Sequence, residues 1–167
     1  SLIPFKGLTG KTINSFKNKS LVLYSEQGIY LNNLELVGNI KIISKKEVLV
    51  GANASLNDVI IVAPYIEVES NFNGSCQIFA SDSILINENV NFNYPSAIVL
   101  GQEKEGEIHS YIKTGTDFSI SGAIIAFQNK YNYKYPVQLL IGKNSRIEGS
   151  LFCDGIAQLS GVINGQI

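Results

Sequence analysis

The stretch CQIFASDSILINENVNFN, from Cys76 to Asn93, carries apolar residues at nearly every second position, with Asn and Ser filling many of the gaps. Alternation with a period of two is typical of a β-strand with one buried face, whereas an amphipathic helix needs a period near 3.6. The stretch contains no catalytic motif. It therefore predicts strand structure and gives no indication of chemistry.

The same pattern recurs after a shift of eighteen residues, so that three consecutive segments superpose without a gap. Three of the aligned columns hold only β-branched residues, and a fourth holds only asparagine. This predicted structural ladder consists of Ile42, Ile60 and Ile78; Val48, Ile66 and Ile84; Val50, Val68 and Ile86; and Asn53, Asn71 and Asn89. A fixed period of this length indicates a solenoid, in which each repeat packs on the next.

A repeat of this size with two or three short strands corresponds to one rung of a parallel β-helix, in which neighbouring rungs lie about 4.8 Å apart. We therefore predict an all-β fold, a single-stranded right-handed parallel β-helix (solenoid) of roughly 7 rungs with polar insertions. The apolar columns are expected to fill its interior. The asparagines are expected to occupy a corner, since Asn tolerates left-handed backbone and its amide can bond to the next Asn in the stack.

The repeat loosens on both sides of this central region. Upstream, residues 28–38 indicate a rung that is one or two residues longer, and residues 1–20 lack the pattern. We interpret residues 1–167 as a single domain in which residues 1–20 form an N-terminal cap or an attachment segment. Downstream, the polar stretches 102–115 and 128–138 are expected to loop out between rungs.

The downstream strands carry a second motif, in which an apolar residue, any residue, Gly, any residue and an apolar residue follow one another. It occurs in ISGAI (120–124), IEGSL (147–151) and LSGVI (159–163). Glycine inside a strand marks a sharp bend or a close approach of backbone, as narrow coils require.

Composition excludes several functional classes. The chain has 13 basic and 14 acidic residues, which leaves no net field to attract nucleic acid. Its apolar runs, such as VIIVA (59–63) and AIIAF (123–127), are far shorter than the roughly 20 residues that span a bilayer. Because the sequence contains no Met, we expect that Ser1 is not the native start, and the alternating pattern up to Ile167 leaves a continuation open.

The two cysteines, Cys76 and Cys153, form neither a disulfide framework nor a metal-site spacing. Each lies in phase with apolar neighbours, so both are expected to be free thiols that pack as small hydrophobic residues. If the predicted rungs are correct, the two residues lie about four rungs apart, beyond the reach of a disulfide.

The segment RIEGSLFCDGIAQLSGVINGQI (146–167) resembles the bactofilins, the polymer-forming cytoskeletal proteins of bacteria. The resemblance is clearest over the last 25 residues or so and only architectural over residues 40–100. It implies a right-handed β-helix whose ends stack into filaments and which has no catalytic activity. Residues 72–97 are also similar to membrane-anchored β-helical proteins of Bacteroidetes. This chain departs from the bactofilins in its less regular central rungs and its two polar insertions.

Two groups of side chains are candidates for binding. Tyr131, Tyr133 and Tyr135 alternate and would place three rings on one face, where they would contact a glycan or a protein or pack on the solenoid itself. The only histidine, His109, follows Glu103, Glu105 and Glu107 in a similar alternation, but a charge run around a Gly is more typical of a solvated loop. We predict no catalytic residues, no cofactor and no metal site.

An enzyme related to pectate lyases or polygalacturonases would need clustered carboxylates on adjacent rungs. In the eighteen-residue register Asp58 aligns with Cys76, and Asp82 aligns with Pro64, so no acidic ladder forms. We therefore expect a non-catalytic structural or assembly scaffold of the bacterial cell envelope, periplasmic or at the surface, with a cytoplasmic filament as the alternative location. The alternative functions are a binding module that presents Tyr131, Tyr133 and Tyr135 to a glycan or protein and, second, a polysaccharide-active β-helix enzyme. The expected partners of the scaffold are further copies of itself, end to end, or another envelope protein, with the membrane reached only through a segment ahead of Ser1.

Overall fold

A computed structural model describes residues 9–102, 109–128 and 134–167, together with the backbone of residues 2–4. Within these ranges the chain forms fourteen strands in one sheet and no helix. The strands are β1 (Leu2–Pro4), β2 (Gly10–Asn14), β3 (Leu21–Ser25), β4 (Ile29–Leu31), β5 (Leu34–Gly38), β6 (Ile40–Ser44), β7 (Glu47–Val50), β8 (Ala54–Val68), β9 (Asn73–Ile86), β10 (Asn91–Gln102), β11 (Tyr111–Thr114), β12 (Ser119–Gln128), β13 (Gln138–Cys153) and β14 (Ile156–Gln166). The prediction of an all-β fold is confirmed.

Every pairing between these strands is parallel, and the pairings form three rows. In the first row the neighbouring segments are, in order, β2, β5, the opening residues of β8, β9, β10 and β12, and later parts of β13 and β14. The second row joins β1, β3 and β6 to later parts of β8, β9, β10, β12 and β13. The third row joins β4 and β7 to the ends of β8 and β9, then to β11 and the openings of β13 and β14.

The chain visits the three rows in the same order each time, and we call one such visit a pass. Strand β8 makes a whole pass alone, since its successive parts pair with β5, β6 and β7. Asn73 pairs with Asn91, eighteen residues further on, as the repeat predicts. The interval lengthens to twenty between Leu34 and Ala54, and to twenty-eight between Asn91 and Ser119. The interval of twenty-eight contains the predicted insertion 102–115, but residues Tyr111–Thr114 of that stretch form β11 and pair with β9 and β13, so the prediction that the whole stretch loops out is wrong there.

Alternate residues of the three rows meet in one apolar core. Of the predicted ladder, the third row confirms two columns by register: Val48 with Ile66 and Ile84, and Val50 with Val68 and Ile86. All six side chains are buried. A ladder of like β-branched residues at each step keeps the core continuous along the stack, because each side chain meets a neighbour of the same shape.

The predicted column of Ile42, Ile60 and Ile78 is wrong at its middle member. Ile61 pairs with both Ile42 and Ile78 and is fully buried, whereas Ile60 pairs with Lys41 and Gln77 and is only half-buried. The cause is Asp58, whose backbone is left-handed (φ 59°) and which lies at a register shift between Asn57 and Val59. One extra residue reverses which side chains face the core.

The shift is local because an extra residue in β9 compensates for it. Ala63 pairs with Ala80 and Tyr65 with Ser83, so β9 uses one more residue than β8 between the second and third rows. The eighteen-residue offset is thereby restored in the third row, which explains why those predicted columns are correct.

The sequence pattern also missed the strands at the N-terminus. Within residues 1–20, β1 pairs with β3, and β2 pairs with β5 from Gly10 to Asn14. This segment extends the sheet. Its side chains explain the weak pattern: Ile13 and Phe16 are exposed, and Thr12 takes the place that a buried Leu36 holds one pass later.

Candidate functional site: corner ladders and an open strand edge

An asparagine corner precedes the first row in almost every pass. One or two residues before that row the backbone is left-handed, with φ between 52° and 70°, at Asn33, Asn71, Asn89, Asp117 and Asn144. Asn and Asp tolerate this conformation better than other non-glycine residues. Asn71 and Asn89 confirm the predicted corner, whereas Asn53 lies in the equivalent turn but outside the left-handed region.

The side chains of this corner bond along the stack, as predicted for an asparagine ladder. The Nδ2 of Asn89 donates a hydrogen bond to the Oδ1 of Asn71 at 2.7 Å. The sequence interpretation missed a second ladder two residues further along, where the Nδ2 of Asn91 donates to the Oδ1 of Asn73 at 3.0 Å and Asn93 donates to the same oxygen at 2.8 Å. The eighteen-residue spacing of Asn73 and Asn91 was the signal that would have identified it.

A glycine ladder forms the bend between the first and second rows near the C-terminus. Gly122 pairs with Gly149, and Gly149 pairs with Gly165; their φ values are 152°, 137° and 157°. A Cβ on Gly149 would lie 1.9 Å from the carbonyl oxygen of Gly122, so no other residue fits without backbone movement. Glycine at these positions therefore permits the close approach of the neighbouring backbones.

The third copy of the predicted glycine motif is misaligned. Ile147 pairs with Ile163, so IEGSL aligns with INGQI (163–167) and not with LSGVI (159–163). Gly161 lies opposite the chain near Ser145 in the first row. Both segments fit the same short motif, and only the pairing of β13 with β14 distinguishes them.

Three aromatic rings occupy the core beside these corners. The rings of Phe72 and Phe92 lie 5.6 Å apart between centroids, and those of Phe92 and Phe118 lie 6.3 Å apart in an edge-to-face arrangement. All three side chains are fully buried. Such tilted pairs stabilise a core beyond the burial of their area.

Strand β14 presents an open edge. It pairs with β13 from Gln138 to Ser150 and with no other strand in the part of the chain that the structure describes. Its inward-facing Leu159 and Ile163 are half-buried, although their partners Ile141 and Ile147 one pass earlier are buried. Within the described part of the chain, this edge therefore has unpaired backbone groups beside part of the apolar core.

The tyrosine group is only partly described. Tyr131 and Tyr133, like Glu103, Glu105 and Glu107, lie outside the described residues. The Tyr135 ring packs edge to face against His109 at 5.1 Å between centroids, and the Nζ of Lys134 lies 5.1 Å from the same ring. Binding of a glycan or protein by Tyr131, Tyr133 and Tyr135 stays a prediction.

Several described carboxylates form ion pairs on the surface. Glu35 pairs with Lys11 at 2.7 Å, Glu26 with Lys45 at 3.0 Å, and Glu148 with Arg146 at 2.8 Å. Among the described residues, no three His, Cys, Asp or Glu side chains lie close enough together to hold a metal ion. In the same ranges no helix is long and apolar enough to cross a bilayer.

Both cysteines are free, as predicted. Complete burial raises the pKa of the Cys76 thiol to about 12, and partial burial raises the pKa of Cys153. The pKa of Tyr65 is also raised, first by burial and then by its hydrogen bond to Glu67. These shifts follow from packing, because a charged thiolate or phenolate loses its water inside the stack.

Comparisons of the chain with protein-family models, with curated proteins and with solved structures give no match.

Proposed function

We propose that the chain is a right-handed parallel β-helix that serves as a stiff, non-catalytic scaffold and joins other copies of itself at its ends. Three parallel rows visited in constant order are what a β-helix requires. The right-handed sense follows from the strong preference for right-handed connections between parallel strands of one sheet.

Stiffness follows from the way the passes contact one another. Each pass bonds to the next through backbone hydrogen bonds in all three rows, and through the side-chain ladders of Asn71 with Asn89 and Asn73 with Asn91. With roughly 7 coils about 4.8 Å apart, the shaft is roughly 35 Å long. A rod of this kind resists bending because bending would stretch bonds along one whole row.

Among the described strands, the edge of β14 that has no partner is the observation on which we base the assembly role. An unpaired strand edge with half-buried Leu159 and Ile163 is a template for another strand. A second copy offers strands of the same spacing, so pairing there would complete the backbone bonds and cover the exposed part of the core. The cell-envelope location is supported only by the resemblance of residues 146–167 to the bactofilins, and a cytoplasmic filament is the alternative.

Light scattering and negative-stain electron microscopy across a concentration series test end-joining. We expect oligomers or fibres that grow with concentration. Leu159→Lys places a charge at the inward side of the edge strand, a device that blocks strand addition, and should abolish growth. Gln158→Lys is the matched control, because this exposed side chain on the same strand faces outward and should leave growth intact.

A chain that stays monomeric at all concentrations would refute end-joining. Equal assembly of the Leu159→Lys variant and the wild type would show that another surface joins the copies. Circular dichroism of each variant verifies that the strands are still formed.

A further inference from the structure

The second row carries a continuous apolar column on its outer side. Successive register pairs link its members from one strand to the next, from β3 to β13. They are Tyr24, Ile43, Val62, Phe79, Val99, Ile125 and Phe152. Because their neighbours in the same strands fill the core, this row is apolar on both faces, which is typical of strands covered on both sides.

The other two rows lack such a column. Outward positions of the first row hold Lys11, Glu35, Ser55, Asn73 and Asn91 in successive passes. Those of the third row alternate apolar and charged residues, such as Leu49, Glu67, Leu85 and Lys113. The apolar character therefore belongs to one face of the shaft and is not an average property of its surface.

The centre of this face combines a projecting ring with a groove. Phe79 is the fourth of the seven column residues and is 38% exposed. Its side chain forms one wall of a groove of about 350 Å³, which Val62, Ala63, Val99 and Phe127 also line. A partly exposed ring at the rim of a groove suits a two-fold contact, since each copy's ring can then pack against the groove of the other copy.

We propose that the outer face of the second row is a lateral docking surface for a second copy of this chain, paired about a two-fold axis near Phe79. This inference is independent of end-joining at β14. It predicts a closed dimer, whereas joining at the ends extends without limit.

The size of the face fits a reversible dimer. Seven strands at about 4.8 Å spacing, each contributing four to six residues, give a face of roughly 500 Å². Two such faces bury about 1,000 Å² in total, which is near the lower limit for a specific interface. Packed sheets lie about 10 Å apart, so the outer faces of this row in two copies can pack against each other without a change in the backbone.

The charge of the face favours a second copy over an anionic membrane. The neighbouring outward column of the same row has a single charged member, Lys41, among Val22, Ile60, Gln77, Ala97, Ala123 and Ser150. A surface for anionic lipid needs clustered basic residues. Because this face is almost uncharged, two identical faces do not repel each other.

Sedimentation velocity from roughly 1 µM to 1 mM covers the affinities expected for an interface of this size. In a Leu159→Lys background, in which joining at the ends is blocked, we expect a monomer–dimer equilibrium. Adding Phe79→Lys to this background should weaken dimerisation at least about tenfold, because it would bury an unpaired charge at the centre of the contact. Adding Ser55→Lys is the matched control: it places the same charge at an exposed outward position of the first row and should leave dimerisation unchanged.

Cross-linking provides a second measurement that does not depend on the stability of Phe79→Lys. In a Cys153→Ser background, Phe79→Cys should form covalent dimers with a bismaleimide that spans about 10 Å, the distance between packed sheets. Cys76 is buried and should not react. Ser55→Cys in the same background should yield no dimer.

A Leu159→Lys chain that is monomeric throughout, a dimer unaffected by Phe79→Lys, or equal dissociation by Ser55→Lys would each overturn the proposal. Flotation with phosphatidylcholine vesicles separates a further outcome. If a monomeric Leu159→Lys chain floats with the vesicles and its Phe79→Lys variant does not, the face binds lipid and not a second copy. Leu159→Lys should leave the lateral dimer intact, so failure of end-joining and failure of lateral pairing are distinguishable.

Discussion

At the residue scale, the turns before the first row depend on side chains that tolerate left-handed backbone. Asn89 is held at φ 56° and donates to the Oδ1 of Asn71, so a single residue supplies both the turn and a bond to the neighbouring pass. At the equivalent turn Asn53 does not adopt this conformation. The asparagine column in the sequence thus reflects two separable contributions, backbone tolerance and side-chain bonding.

Two substitutions of Asn89 separate these contributions. Asn89→Gly keeps the left-handed turn and loses the amide bond, so the free energy of unfolding should fall by about 0.5–1.5 kcal/mol. Asn89→Ala also strains the turn and should cost about 1–2 kcal/mol more. Urea unfolding measures both variants, and equal losses would show that the conformation contributes nothing.

Cys76 predicts a dependence of stability on alkaline pH. Burial raises the pKa of the folded thiol to about 12, from a usual value of 9.0. The unfolded chain therefore loses this proton first, and the free energy of unfolding should fall between these two pH values by up to about 1.4 kcal/mol per pH unit. Below pH 9 the Cys76 thiol keeps its proton in both the folded and the unfolded chain, so it does not lower the free energy of unfolding there.

The measurement is urea unfolding at a series of pH values from 8 to 11. Cys76→Ala should unfold more readily at pH 8 but show a shallower decline, and Tyr65, whose pKa is also raised, contributes equally to both proteins. Identical slopes in the two proteins would contradict the assignment to Cys76.

At the element scale, single residues decide how strands stack. Asp58 is one extra residue of β8 relative to β9, so that Ile61 and not Ile60 pairs with Ile78 and faces the core. The glycine ladder of Gly122, Gly149 and Gly165 acts differently, by allowing neighbouring strands to bend together where a Cβ would meet backbone. In both cases the local backbone conformation determines how a strand aligns with its neighbours in the row.

Two glycine variants test whether close approach or conformation matters more. Gly149→Ala combines a left-handed φ of 137° with a contact of 1.9 Å to the Gly122 oxygen. Gly10→Ala has a φ of 81° but nothing within 4 Å. Gly10→Ala should therefore cost about 1 kcal/mol of stability and Gly149→Ala about 3 kcal/mol or more, measured by thermal and urea unfolding. Equal losses of stability in the two variants would mean that the backbone near Gly149 moves away from the new Cβ without a measurable loss of stability.

At the scale of the whole molecule, stability should decline from the central strands towards β14, the last strand that the structure describes. Ile78 is fully buried between Ile61 and Ile98, whereas Ile163 on β14 is half-buried and pairs only with Ile147. In a stacked array each unit is stabilised by its neighbours, and a terminal unit has one fewer. The final pass should therefore open before the centre does.

Ile78→Ala and Ile163→Ala compare these two positions. We expect a loss of about 3–4 kcal/mol at the buried centre and about 1 kcal/mol at the edge. Hydrogen exchange should show the same gradient, with β14 amides exchanging faster than those of β9. Uniform protection of both strands would contradict a stack with a weak terminal pass.

The sequence by itself determined the strand character, the eighteen-residue period of the central part and two corner residues, Asn71 and Asn89, because alternation, β-branching and left-handed tolerance are local properties. Tertiary structure alone decided which member of an apolar run faces the core. In VIIVA both Ile60 and Ile61 suit burial, and one extra residue at Asp58 selects Ile61. The apolar outer column around Phe79 was likewise invisible in a single strand, because it exists only where seven strands lie side by side.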